Sequence, residues 1–146
     1  MKEAFTSSLD EKKLKLELRL AQIEKNDMCK KDFLIFVKNM WPDFIAGRHH
    51  KIIAEKLERV ASGELKRLII NMAPRHTKSE FASFLFPAWM MGRNPKMKII
   101  QATHTTELAV NFGRKVKNLL EQDEYNTVFP EVKLASDSKA SGRWDT

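Results

Sequence analysis

The stretch "LIINMAPRHTKSEF", Leu68 to Phe81, decides how this chain is read. A phosphate-binding loop has the spacing G-x-x-x-x-G-K-[ST] between a strand and a helix. Lys78 and Ser79 stand at the right places, while Met72 and Thr77 occupy the two glycine positions. Such a loop works because backbone N–H groups at the turn converge on phosphate oxygens, helped by the helix N-terminus. The lysine reaches the outer phosphates, and the hydroxyl after it binds magnesium. The glycine before the lysine admits a positive φ and lets the backbone approach the phosphate. A β-branched Thr77 held at positive φ costs about 1–2 kcal/mol. On spacing alone, an altered nucleotide loop and a chance Lys-Ser after a turn both stand.

The context on either side favours a loop. "KRLIINMA" is a short, β-branched, apolar run, as expected for a strand buried on both faces. A helical stretch is predicted from Ser79 to Met91, with Pro87 kinking or restarting it. "GRNP" breaks the chain, and "KMKIIQAT" reads as a second buried strand. "TTELAVNFGRKVKNLLEQ" then places Leu108, Phe112, Val116 and Leu119 at helical spacing. Strand, loop, helix, strand, helix predicts an α/β fold with a P-loop-like parallel sheet and right-handed crossovers.

Helices precede that unit. "KKDFLIFVKNMW" sets Phe33, Phe36, Val37 and Met40 on one face and stops before Pro42. "HHKIIAEKLERVASG" repeats the pattern with Ile53, Leu57 and Val60 and ends at Gly63. Further upstream, "LKLELRL" alternates with period two, which suits a strand. Yet Leu14/Leu18/Ala21 and Leu16/Leu20/Ile23 also fall at helical spacing, and good helix formers fill the segment. A peripheral helix capped by Ser8 or Asp10 is predicted. The last residues, "FPEVKLASDSKASGRWDT", read as a loop cut off before its next element.

Composition bounds the function. The 146 residues suffice for one core, and 42% hydrophobic with 31% charged residues excludes wholesale disorder. Twenty-six Lys+Arg against nineteen Asp+Glu give a formal +7, which suits nucleic acid or nucleotide phosphates as well as a solvated basic surface. The single Cys29 excludes an internal disulfide, predicts a reducing compartment, and reads as a packed thiol. "FASFLFPAWMM" is too short to span a bilayer, and the charged N-terminus lacks a signal-peptide core. A cytoplasmic protein that makes no membrane contact is expected.

From Phe33 onward the sequence resembles the ATPase region of the large terminase subunits of tailed bacteriophages. In that family a strand leads into Pro-Arg-His-Gly-Lys-Ser-Glu, followed by a helix with Phe-Pro-Ala-Trp. Here these blocks read Pro74-Arg75-His76-Thr77-Lys78-Ser79-Glu80 and Phe86-Pro87-Ala88-Trp89. The likeness extends to "ELKRLIIN", "FGRKV" and the final "SGRW". The family pattern already lacks the first glycine, so Thr77 is the true departure, and it bears on how tightly nucleotide binds.

The resemblance implies ATP and Mg2+ as cofactors, held by Pro74, Arg75, His76, Thr77, Lys78 and Ser79. Lys78 would contact the β- and γ-phosphates, Ser79 would hold the magnesium ion through its hydroxyl, and Arg75 is a candidate γ-phosphate contact or else a surface charge. His76 would shape the loop, and Glu80 would complement the helix dipole. Trp41, Phe44 and His49-His50 fall where the family builds an adenine pocket, although core packing and a helix start explain them nearly as well. Adjacent His49 and His50 point too far apart on a helix for a metal site.

The implied partners are double-stranded viral DNA, the portal protein and the small terminase subunit, with a homo-oligomeric ring at full length, in the host-cell cytoplasm. Residues 1–30 would be a peripheral helix and 31–146 a partial P-loop ATPase domain. No apolar run ending in paired acidic residues follows Thr103, and the family's C-terminal nuclease domain is missing. A truncated reading frame is therefore expected, whose product binds Mg-ATP weakly and hardly turns it over. The rival reading is a small basic α/β module that contacts nucleic acid or protein and carries a dead loop.

Overall fold

The computed structural model describes residues 2–135, with side chains from residue 10 onward. Helices dominate: α1 (Lys2–Lys31), α2 (Phe33–Met40), α3 (Arg48–Ala61), a π-helical segment (Glu80–Leu85), α4 (Phe86–Arg93), α5 (Thr106–Leu120) and α6 (Asp123–Val128).

Their ends follow local chemistry. Asp32 caps α2 by accepting the Ile35 N–H at 2.7 Å, and Glu58 of α3 takes the Phe33 N–H at 2.7 Å. Burial pushes the Glu58 carboxyl above the usual carboxylate range, and the bond from Phe33 partly opposes that. Thr105 caps α5 through the Leu108 N–H. Gly63 lies just past α3 at φ 79, where a side chain would be strained.

The core is aromatic. Phe33 of α2 touches Phe81 and Phe86 edge-on, each at 5.6 Å between ring centroids, and Trp89 at 5.4 Å. Phe36, stacked on Phe33 from the same helix face, meets Tyr125 and Phe129. The polar atoms of these rings are satisfied: Trp89 Nε1–H donates to the Cys29 carbonyl at 2.9 Å and Tyr125 OH to the Ala88 carbonyl at 2.8 Å. Burial pushes the Cys29 thiol up, in keeping with a packed cysteine. A Cβ added to Gly92 would meet the Phe129 ring at 2.5 Å, so α4 approaches that ring only because position 92 has no side chain.

The helical stretch after the loop runs from Lys78 to Arg93, but not as one α-helix. Across the π segment the Phe86 N–H reaches back to the Phe81 carbonyl. Pro87, second in α4, has no N–H for the carbonyls behind it. The Ser83 carbonyl, four residues back, accepts instead from Gln101 Nε2 at 2.9 Å. Pro87 thus restarts the helix, and Gln101 ties the segment before α5 to it.

The sheet is the main correction. Among the described residues there is no strand and no strand pair, so the predicted α/β fold with a P-loop-like parallel sheet is not what these residues form. Both runs predicted as buried strands lack regular secondary structure, and no backbone hydrogen bond joins one to the other. Leu68, Ile70 and Met72 pack on the helical core, whereas Ile69 is 85% exposed. In the other run Ile100 is 96% exposed. A parallel strand needs ladder partners and cover on both faces. These segments have cover on at most one face, and they lie as irregular straps on a helical body.

Two smaller differences follow. The helix expected to start at Ser8 or Asp10 already begins at Lys2, and its side chains from Asp10 to Lys25 are all exposed. Alternate leucines 14, 16, 18 and 20 fall on opposite sides of a helix, because two residues advance it by about 200°. α6, between Asp123 and Val128, falls in a stretch for which the sequence predicted no element. The terminal "SGRW" lies outside the described residues.

Candidate phosphate loop

The loop leaves the strap at Ala73 and enters the helix at Lys78. Arg75 at φ 64 and Thr77 at φ 59 are the non-glycine residues with positive φ among those described. Thr77 is thus left-handed at the position that a phosphate loop gives to glycine. Its carbonyl accepts the Phe81 N–H at 3.0 Å, which closes the first turn of the following helix.

The side chain of Thr77 is tied on two sides. His50 Nε2 lies 2.6 Å from Thr77 Oγ1, and Thr77 Oγ1 donates to the His76 carbonyl at 2.7 Å. The Gly47 N–H donates to His50 Nδ1 at 2.9 Å. That bond fixes the tautomer, because Nδ1 must be bare to accept it. Nε2 therefore carries the proton and donates to Thr77. His50 is only 6% exposed, with Phe44 edge-on at 4.7 Å and Phe81 stacked at 5.2 Å. Burial, followed by the neighbouring His49 and His76, holds its pKa below the ordinary histidine value.

The other predicted site residues divide. Lys78 is half-buried and Arg75 exposed, and neither has a carboxylate partner among the described residues. Ser79 is exposed beside Lys78 in the first helical turn, and Pro74 starts the turn. His76 Nδ1 lies 2.9 Å from the Pro74 carbonyl, a contact within the loop. Glu80 is bound to Lys115 of α5 at 2.8 Å, which places it in a packing contact rather than at a free base position. Trp41, Phe44 and His50 form a connected ring series that reaches Phe81, with Trp41 to Phe44 at 5.3 Å. His49 lies 3.8 Å from His50 and 6.0 Å from His76. The aromatic group upstream and the loop are therefore neighbours. His50, however, is engaged with Thr77 and has no ring face open to a base.

The donors fit a phosphate: a helix N-terminus, a lysine and an arginine without acidic partners, and a hydroxyl at the next residue. They offer less to a metal. Among the described residues no three His, Cys, Asp or Glu side chains converge to hold an ion, and the Ser79 hydroxyl is the group that the resemblance would give to Mg2+. An open hollow of about 560 Å³ lies elsewhere, along the start of α5 between His104 and Arg114, and shares no residue with the loop. Among the described residues no helix is long and apolar enough to cross a membrane.

Sequence reasoning missed the partnership of His50 with Thr77, twenty-seven residues apart. The sequence carries only the local half of it, since a side chain three residues into a helix can accept the N–H of the cap residue, as His50 does from Gly47. Comparisons with protein-family models, curated proteins and solved structures find no match.

Proposed function

We propose that residues 74–79 bind the phosphates of a nucleotide, ATP by resemblance. On the same reading the chain is the ATP-binding part of a terminase large subunit, which drives viral DNA into a procapsid. The observation that carries this reading is Thr77 at φ 59, directly before Lys78 at a helix start. A β-branched residue occupies left-handed space at a cost of about 1–2 kcal/mol, and such strain concentrates where a backbone shape serves binding. The binding geometry needs N–H groups converging at a loop-to-helix junction, and these do not depend on a flanking sheet.

On this reading Lys78 meets the outer phosphates, Ser79 the magnesium ion, and Arg75 the γ-phosphate. Trp41, with an exposed ring joined to the loop through Phe44 and His50, offers the base a stacking face. Double-stranded DNA, the portal protein and the small terminase subunit are the partners that the resemblance brings. Titration calorimetry with Mg-ATP tests the proposal. Saturable binding that falls at least tenfold in Lys78→Ala, about 1.4 kcal/mol or more, is expected. No heat in the parent, or equal binding by both proteins, would leave the loop as a turn of the fold. The basic surface would then be the better clue, and salt-dependent DNA binding the next measurement.

A further inference from the structure

We infer that His50 is the positioning residue that lets a threonine serve at the glycine position of the phosphate loop, holding Thr77 left-handed through Nε2–H and Oγ1. The inference rests on the phosphate-binding reading and adds how the loop keeps its shape without glycine.

Three features support it. First, the two left-handed residues are held differently. Arg75 is exposed, with no side-chain hydrogen bond among the described residues, while Thr77 both accepts from His50 and donates to the His76 carbonyl. The tied residue is the one next to Lys78. Second, the donor cannot swing away. His50 is fixed by Gly47 on one side and enclosed by Phe44 and Phe81 on the others. Third, the same imidazole joins three pieces of chain: the start of α3, the loop, and Phe81 one turn into the helix that Thr77 caps. A rigid donor at that junction fixes the direction in which the Lys78 N–H points.

Protonation gives the arrangement a distinct signature. A proton on Nδ1 would face the Gly47 N–H, donor against donor, and break the tie. The titratable groups nearest His50 are His49 on α3 and His76 on the loop, while Phe44 and Phe81, packed against it, carry no charge.

The test is a double-mutant cycle on the whole chain: parent, His50→Phe, Thr77→Gly and the double variant. Phenylalanine keeps the ring packing and removes the donor to Thr77 together with the acceptor of the Gly47 N–H. Mg-ATP affinity should fall about tenfold for His50→Phe in the threonine background and less than about twofold in the glycine background. Thr77→Val, which removes the hydroxyl without touching the core, should behave like His50→Phe, and Thr77→Ser should bind like the parent. Equal losses in both backgrounds would overturn the inference and leave His50 as a packing residue. A second readout does not need nucleotide. The strong intraresidue HN–Hα Overhauser effect of a positive-φ residue should be present at Thr77 in the parent and lost in His50→Phe. If the parent binds no Mg-ATP, the phosphate reading fails and this readout decides alone. An unchanged Thr77 signal in His50→Phe would overturn the positioning role.

Discussion

The aromatic heart of the molecule and its two straps are both rich in apolar residues, yet only the heart buries nearly all of them. Phe33, Phe36, Phe81 and Trp89 are fully buried, and the polar atom of Trp89 has a partner. Ile69 and Ile100 lie in water, on segments whose backbone pairs with no neighbouring strand. The difference lies in where each element finds its hydrogen bonds. A helix satisfies its backbone within its own residues and needs only one buried face. A strand must find its partners elsewhere in the chain, and an apolar run does not supply them. Apolar character therefore predicts burial well in the first case and poorly in the second.

The largest effect expected from this contrast is in the heart. Trp89→Ala should lower stability by about 3–5 kcal/mol in denaturant titration, because it opens a cavity and orphans the Cys29 carbonyl. Gly92→Ala comes next. A methyl group driven against Phe129 should cost about 1–3 kcal/mol, whereas an ordinary exposed helical glycine would gain from alanine.

Much of the helical body was legible in the sequence. The spacing of Phe33, Phe36 and Val37 marked α2, Ile53 and Leu57 marked α3, and Gly63 marked its end. A helix is predicted from Ser79, with Lys78 ending the turn before it, and the structure starts that helix one residue earlier, at Lys78. What could not be read was non-local. Ile69 and Ile70 are neighbours with the same β preference, and only the packed helices decide that Ile70 turns inward and Ile69 outward. The tie between His50 and Thr77 is likewise a meeting of distant segments. Thr77 stands at a position that the loop pattern gives to glycine, and its backbone is left-handed there.

The site should also separate itself by pH. The pKa of His50 is held below its ordinary 6.5, so the folded protein binds fewer protons there than the unfolded chain. That contribution to stability is complete above pH 6.5 and is lost as pH falls through the lowered folded value. Denaturant midpoints measured downward from neutral pH should therefore decline in the parent, with a shallower decline in His50→Phe. An identical pH dependence in both proteins would remove His50 from the account.

The smallest effects belong to the straps. Ile69→Thr and Ile100→Thr should each change stability by no more than about 0.5 kcal/mol, because both side chains are already solvated. Losses of about 2 kcal/mol or more would mean that these residues are covered, as they would be in a sheet buried on both faces.

Amide hydrogen exchange with and without Mg-ATP tests the central claim, that residues 74–79 are a phosphate-binding junction on a helical body. The account predicts slow exchange in α2, α4 and α5, fast exchange in the straps, and new protection on adding Mg-ATP confined to Arg75–Phe81 and absent in Lys78→Ala. Exchange at residues 75–81 that is the same with and without nucleotide, at concentrations up to the millimolar range, would contradict it.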